Sequence, residues 1–222
     1  MKTLSTATGM SAVVLSIALA GCAPRTEVAS PSSTQASPTV SVGSPDPGAT
    51  TLNQYIVNNK IAETRFTRGE PGTPKIEFPF PPGWGTAGDR TPEWAYGAIV
   101  YDKPKDPEDP PYMVAIASKL TGDVDAAKIL EYAPGQLNKM PDFAPFHDPA
   151  KDSLSGFQAI DYAGTYVRKG KPRVIGQQTI VVPGKDALFV LQLNADAPEG
   201  EKQTVIDAAK FIAEHTKISA PS

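Results

Sequence analysis

The chain is poor in cysteine and histidine: among 222 residues there is one Cys and there are two His. A single Cys excludes an intramolecular disulfide, a multi-cysteine zinc site and a CxxC redox pair. Two His leave little room for a histidine-rich metal centre. An excess of one charge is also lacking. The 21 Lys and Arg nearly balance 24 Asp and Glu, for a net charge of -3, so nothing electrostatic favours nucleic acid phosphates as a partner. Catalytic signatures are missing as well. There is no GxSxG elbow and no HExxH, and Thr165 to Pro172 departs from a P-loop at both ends, with Thr165 for the first Gly and Pro172 for the Ser/Thr that would hold Mg²⁺. The reading is of a non-enzyme without cofactor or metal.

What the chain does have begins at its N-terminus. Lys2 is followed by an eleven-residue apolar run, Met10 to Ala20. A transmembrane helix needs about 20 apolar residues, so this run is too short to remain as an anchor. The small residues Ala20 and Gly21 then precede Cys22, as a signal peptidase site requires. Leu19-Ala20-Gly21-Cys22 looks like a bacterial lipobox. It predicts a signal peptide over 1–21 and a diacylglycerol thioether on Cys22 as the first residue of the mature chain. Two or more acyl chains hold a protein stably on a bilayer where one does not, which places the protein on the outer leaflet of the plasma membrane, facing the periplasm or cell wall.

Residues 22–50 then read as the lipidated Cys and a linker. Of the 28 residues from Ala23 to Thr50, 21 are Pro, Ser, Thr, Gly or Ala, and such a segment buries too little apolar surface to offset its ordering entropy. As a flexible coil it spans roughly 30 Å, and fully extended about 85 Å. Its composition suits O-glycosylation or a plain spacer.

Residues 51–222 are long enough for one core. Thr51 reads as the N-cap of a short helix. Lys75 to Phe80, Trp94 to Tyr101 and Tyr112 to Ser118 read as strands. A helix capped by Asp123 is expected to bury Val124, Ala127, Leu130 and Leu137, with a break at Pro134. Phe157 to Arg168, Arg173 to Val182 and Ala187 to Leu193 are joined by short turns and so form an antiparallel meander. Leu188 to Leu191 is apolar on both faces and belongs in the middle of the sheet. Pro198 opens a last helix with Val205, Ala208, Ala209 and Ile212 inward. The fold class is α+β, a mostly antiparallel sheet flanked by helices.

Candidate sites are few. His147 lies among Asp142, Asp148, Asp152 and Ser153, a spacing that suits a solvated loop better than a metal or Ser-His-Asp site. His215 suits the end of a helix, where a cation favours the macrodipole. The proline-rich acidic loop before Tyr112 lacks an EF-hand pattern and reads as stiff and exposed. Aromatics remain: Trp84, Trp94 and Tyr96 flank Pro81-Pro82-Gly83 and Gly85, where the punctuated backbone is not expected to join the packed sheet. Such side chains offer an apolar face and a polar handle. They either cover one end of the core or line a groove, and at a groove Trp84 or Trp94 should be partly exposed.

The lipobox, the linker, Glu70-Pro71-Gly72-Thr73-Pro74 and Pro81-Pro82-Gly83-Trp84 together resemble the mycobacterial LpqN/LpqT-type lipoproteins. Tyr96 to Tyr101, Leu120 to Asp123 and Phe189 to Asp196 are similar to the LpqN branch in particular. The resemblance implies a Mog1/PsbP-like sandwich and a place among proteins associated with mycolate glycolipids and their exporters. The function expected on that basis is binding of an envelope glycolipid, trehalose-based, beside a membrane lipid exporter. The alternative is a protein-interaction module of the cell envelope with no small ligand. Only Cys22 is carried across as a named site.

Overall fold

The computed structural model describes residues 50–221; the signal peptide, the lipobox with Cys22 and the linker up to residue 49 lie outside the described residues. Helix α1 (Leu52–Asn58) begins at Thr51, whose hydroxyl accepts from the Gln54 backbone amide while the Gln54 side chain accepts from the Thr51 amide, a reciprocal capping box. Strands β1 (Ala62–Arg65), β2 (Lys75–Glu77), β3 (Trp84–Thr86), β4 (Gly97–Tyr101) and β5 (Tyr112–Thr121) follow. Helix α2 (Ala126–Tyr132) passes into a 3-10 segment over Ala133–Lys139. Then come β6 (Ala144–Pro145), β7 (Ala150–Leu154), β8 (Phe157–Arg168), β9 (Lys171–Pro183), β10 (Leu188–Pro198), α3 (Lys202–His215) and β11 (Lys217–Ser219).

The main sheet has nine strands in the order β3-β4-β5-β10-β9-β8-β6, with β1 added to the far end of β5 and β7 added to β8. All its pairings are antiparallel. The meander is as expected: β8 turns into β9 at Lys169-Gly170, where both residues have positive φ, and β9 turns into β10. Strand β10 lies between β5 and β9 and is covered on both faces. Phe189 and Leu191 enter one core cluster, Val190 another with Tyr55, Ile56 and Ile129. One face thus carries α1 and α2, and the other carries α3 with a two-stranded ribbon in which β11 pairs with β2.

Some expectations are corrected. Asp125, not Asp123, caps α2, because Gly122 adopts a positive φ and delays the helix entry. Leu137 is buried as expected and Val124 and Leu130 are half-buried against the cluster of Ile129, but Ala127 is exposed, and Ile129 and Ala133 are buried in addition. The break at Pro134 is present as the change from α to 3-10 winding. Strand β2 ends at Glu77, and β4 begins three residues later than the aromatic stretch suggested. Trp84 to Thr86 does join the sheet, since Trp84 pairs with Tyr101. In α3, Val205, Ala208 and Ile212 are buried but Ala209 is exposed.

Candidate functional site

A groove of about 240 Å³ opens on the α3 face of the sheet. Strand alternation builds its floor. Gly97 and Ile99 on β4, Met113 and Ala115 on β5, and Leu193 on β10 are cross-strand neighbours on one face. Ile212 of α3 and Phe78, just beyond β2, form the walls with Tyr96. Exposed lining residues, Arg68, Phe80 and Thr86, form the rim.

Two features keep this space open. A Cβ added to Gly97 would meet no atom within 4 Å, so the missing side chain faces the groove and not a packed neighbour. Glycine inside a strand often marks a place where something else approaches the backbone. Tyr96 is the second feature. Its amide donates to the Ala115 carbonyl at 2.8 Å, and its ring stands edge-on to Phe66 and Phe78, at 5.9 and 6.3 Å between centroids. The Arg68 guanidinium lies 5.9 Å from the Tyr96 ring centre. Burial raises the Tyr96 phenol above its usual range against the opposing pull of Arg68, so it stays a neutral donor at physiological pH. The groove therefore offers apolar walls for a chain and a rim with a cation and hydroxyls.

The aromatic trio is not brought together here. Tyr96 lines the groove. Trp84 does not: it is 6 % exposed and packs in the cluster of Met113, Val205, Ala208 and Ile212, its ring 5.8 Å from Tyr101. This follows from its place in β3, which turns the indole towards α3. Trp94 is 43 % exposed but is not part of the groove lining. The sequence reading missed Phe78, Ile99, Met113, Leu193 and Ile212. The period-2 pattern of β4, β5 and β10 would have placed the three strand residues on one face, but nothing local shows that α3 and the β2 ribbon leave that face partly uncovered.

The remaining candidates have ordinary partners. His147 contacts the Asp148 carbonyl through Nδ1 at 2.7 Å and lies 3.9 Å from Asp161 through Nε2. Ser153 pairs along β7 with Gln158, and Asp152 accepts from Gln178. Among the described residues no group of three or more His, Cys, Asp or Glu is placed to hold a metal ion. His215 stacks on Phe211 and meets its carbonyl at 2.9 Å. The acidic loop is less free than its composition suggested. Asp109 accepts from Arg168 and from Arg173, and Lys105 donates through its amide to Glu201 and through Nζ to the Gly200 carbonyl.

Comparison with known proteins follows this geometry. The family model described as probable lipoprotein LpqN matches residues 48–219, which include every groove residue. The chain belongs to the LpqN lipoprotein family. Lipoprotein LpqN of Mycobacterium tuberculosis (strain ATCC 25618 / H37Rv) is 47 % identical over 171 residues, covering 76 % of this chain and 74 % of that relative. A crystal structure of LpqN, described as involved in cell envelope biogenesis of Mycobacterium tuberculosis, superposes with a TM-score of 0.73 at 46 % identity, covering 78 % of this chain and 99 % of that one. The yeast Ran-binding protein Mog1p gives a TM-score of 0.41 at 13 % identity, over 70 % of this chain and 95 % of that chain. The α+β sandwich expected of the LpqN family is the one seen, a mostly antiparallel sheet with helices on both faces. Among the described residues no helix is long and apolar enough to cross a membrane.

Proposed function

We propose that this lipoprotein holds an amphiphilic envelope lipid, a trehalose-based mycolate glycolipid, in the groove over β4, β5 and β10, and assists its transfer beside a membrane lipid exporter. Acylated Cys22 would keep the domain on the outer leaflet of the plasma membrane, and the linker would let it reach its cargo. The reading assigns the chain no catalytic step, no cofactor and no metal.

The observation that carries it is the opening at Gly97, with apolar side chains on every side and Arg68 and Thr86 at the rim. Ligand sites are typically concave and mostly apolar, with a few polar groups that fix orientation. The groove is too small for a whole mycolate, so it would seat the sugar-proximal part of one chain. A relative described as involved in cell envelope biogenesis is consistent with such a cargo.

Gly97→Leu tests this directly, because its Cβ would meet no atom within 4 Å and its longer side chain extends into the groove. Titration with a trehalose glycolipid is expected to show binding to the parent protein and at least a ten-fold loss in the variant, with the thermal midpoint little changed. Equal binding by both proteins would remove the glycolipid from this groove, and no binding by the parent protein would leave the ligand-free interaction module in its place.

A further inference from the structure

A second cavity, of about 290 Å³, lies on the other side of α3. Its floor is a row of small residues in register across three strands, Ala163 on β8, Gly176 on β9 and Ala195 on β10. Its roof is one flank of α3, where Ile206 and Ala209 stand beside the buried Val205. The exposure of Ala209, unexpected from the helical period, is explained by this space beside it. A Cβ added to Gly176 would meet only Ala163 Cβ, at 3.7 Å, so here too a strand glycine leaves room and does not relieve a clash.

The rim is charged and unevenly so. Lys202 and Lys210 stand on α3 about 12 Å apart along its axis, from the rise per residue, and among the described residues neither is paired with a carboxylate. Lys202 Nζ sits 3.7 Å from the centre of the Phe146 ring, which is 43 % exposed. His147 and Asp161, 3.9 Å apart, complete the same end. Two lysines against one aspartate leave the rim net cationic. Asp161 also disfavours a dianion, since a like charge near a partly dry site is costly. At the low end of ligand-pocket volumes, the space takes a medium-length acyl chain.

We propose that this cavity is a second site, distinct from the glycolipid groove, which binds a medium-chain fatty carboxylate with its chain over Ala163, Gly176 and Ala195 and its head group at Lys202. Cation and apolar slot occur together here, so the ligand must carry both a single negative charge and a chain. A neutral or cationic amphiphile of equal length lacks the first of these.

Sodium decanoate titrated into the full-length Cys22→Ala protein tests the proposal, with decyltrimethylammonium and decanol as matched probes. One decanoate is expected to bind per chain, at least ten-fold tighter than either probe. Lys202→Glu should weaken decanoate at least ten-fold while leaving the thermal midpoint in place, because that side chain is on the rim. Gly176→Leu should abolish binding by filling the floor, whereas Gly97→Leu should leave it intact. Equal binding of the three probes, an unaffected Lys202→Glu protein, or loss of decanoate in Gly97→Leu would each overturn the proposal. The last outcome would put decanoate in the first groove, and failure of the glycolipid reading alone would not affect this result.

Discussion

At the scale of single residues, the most demanding group is Arg173. Its side chain is 2 % exposed, yet it is charged, because it meets Asp196 through Nε at 2.7 Å and Asp109 through a terminal nitrogen at 2.5 Å. Tyr166 donates its hydroxyl to the same Asp196, and Arg168 lies 3.0 Å from Asp109. Removing Arg173 takes the main cation from two half-buried carboxylates and leaves them only Arg168. Arg173→Met is therefore expected to cost about 1–3 kcal/mol in urea unfolding, and the Arg173→Met/Asp196→Leu double variant to recover much of it. The Tyr166 phenol is pushed up from 10.0 to about 12, first by burial and then by its bond to Asp196. The sign follows from linkage. The folded state keeps this proton where the unfolded chain has lost it, so the contribution is whole below pH 10 and is lost as pH rises towards 12. Stability measured across that window should fall less steeply in Tyr166→Phe than in the parent protein.

At the scale of elements, close backbone approach explains a strand that sequence patterns did not show. Strand β6 lies on β8 at Gly164, where a Cβ would come within 2.5 Å of the Ala144 carbonyl oxygen and 2.7 Å of the Phe143 ring. Gly164→Ala should lift β6 from the sheet edge, read as faster hydrogen exchange at the Phe146 amide, which donates to the Ala163 carbonyl, and as unchanged exchange in β10. What was legible at this scale depended on short-range signals. The β8-β9-β10 meander was read from its turns, and α1 from Thr51. The cap of α2 and the place of Ala127 were misjudged because the left-handed backbone at Gly122 is not visible in a pattern of apolar residues. The pairing of β2 with β11 was not legible at all, since three-residue strands from opposite ends of a domain leave no periodic trace.

Across the whole molecule, the family was carried by contiguous motifs and was readable before the fold. The groove was only partly readable. Tyr96 was found because aromatic side chains attract notice, but Trp84 shared that signal and is core, and the rest of the lining is assembled from residues far apart in the chain, from Arg68 to Ile212. The largest expected effect lies at Cys22, which is outside the described residues. Cys22→Ala should abolish acyl labelling and leave uncleaved or soluble protein, and normal membrane retention and processing of that variant would contradict the lipid anchor. The β2–β11 ribbon carries a consequence for the order of assembly. Phe78 and Phe80 follow directly on β2, and β2 is held by the last strand of the domain. Because a chain is made from its N-terminus, this wall must wait for β11, which follows the last strand of the floor, β10. The groove is thus the part of the protein completed last. Until β11 pairs with β2 the sheet face lacks this wall, so cargo uptake is expected only of the fully folded domain.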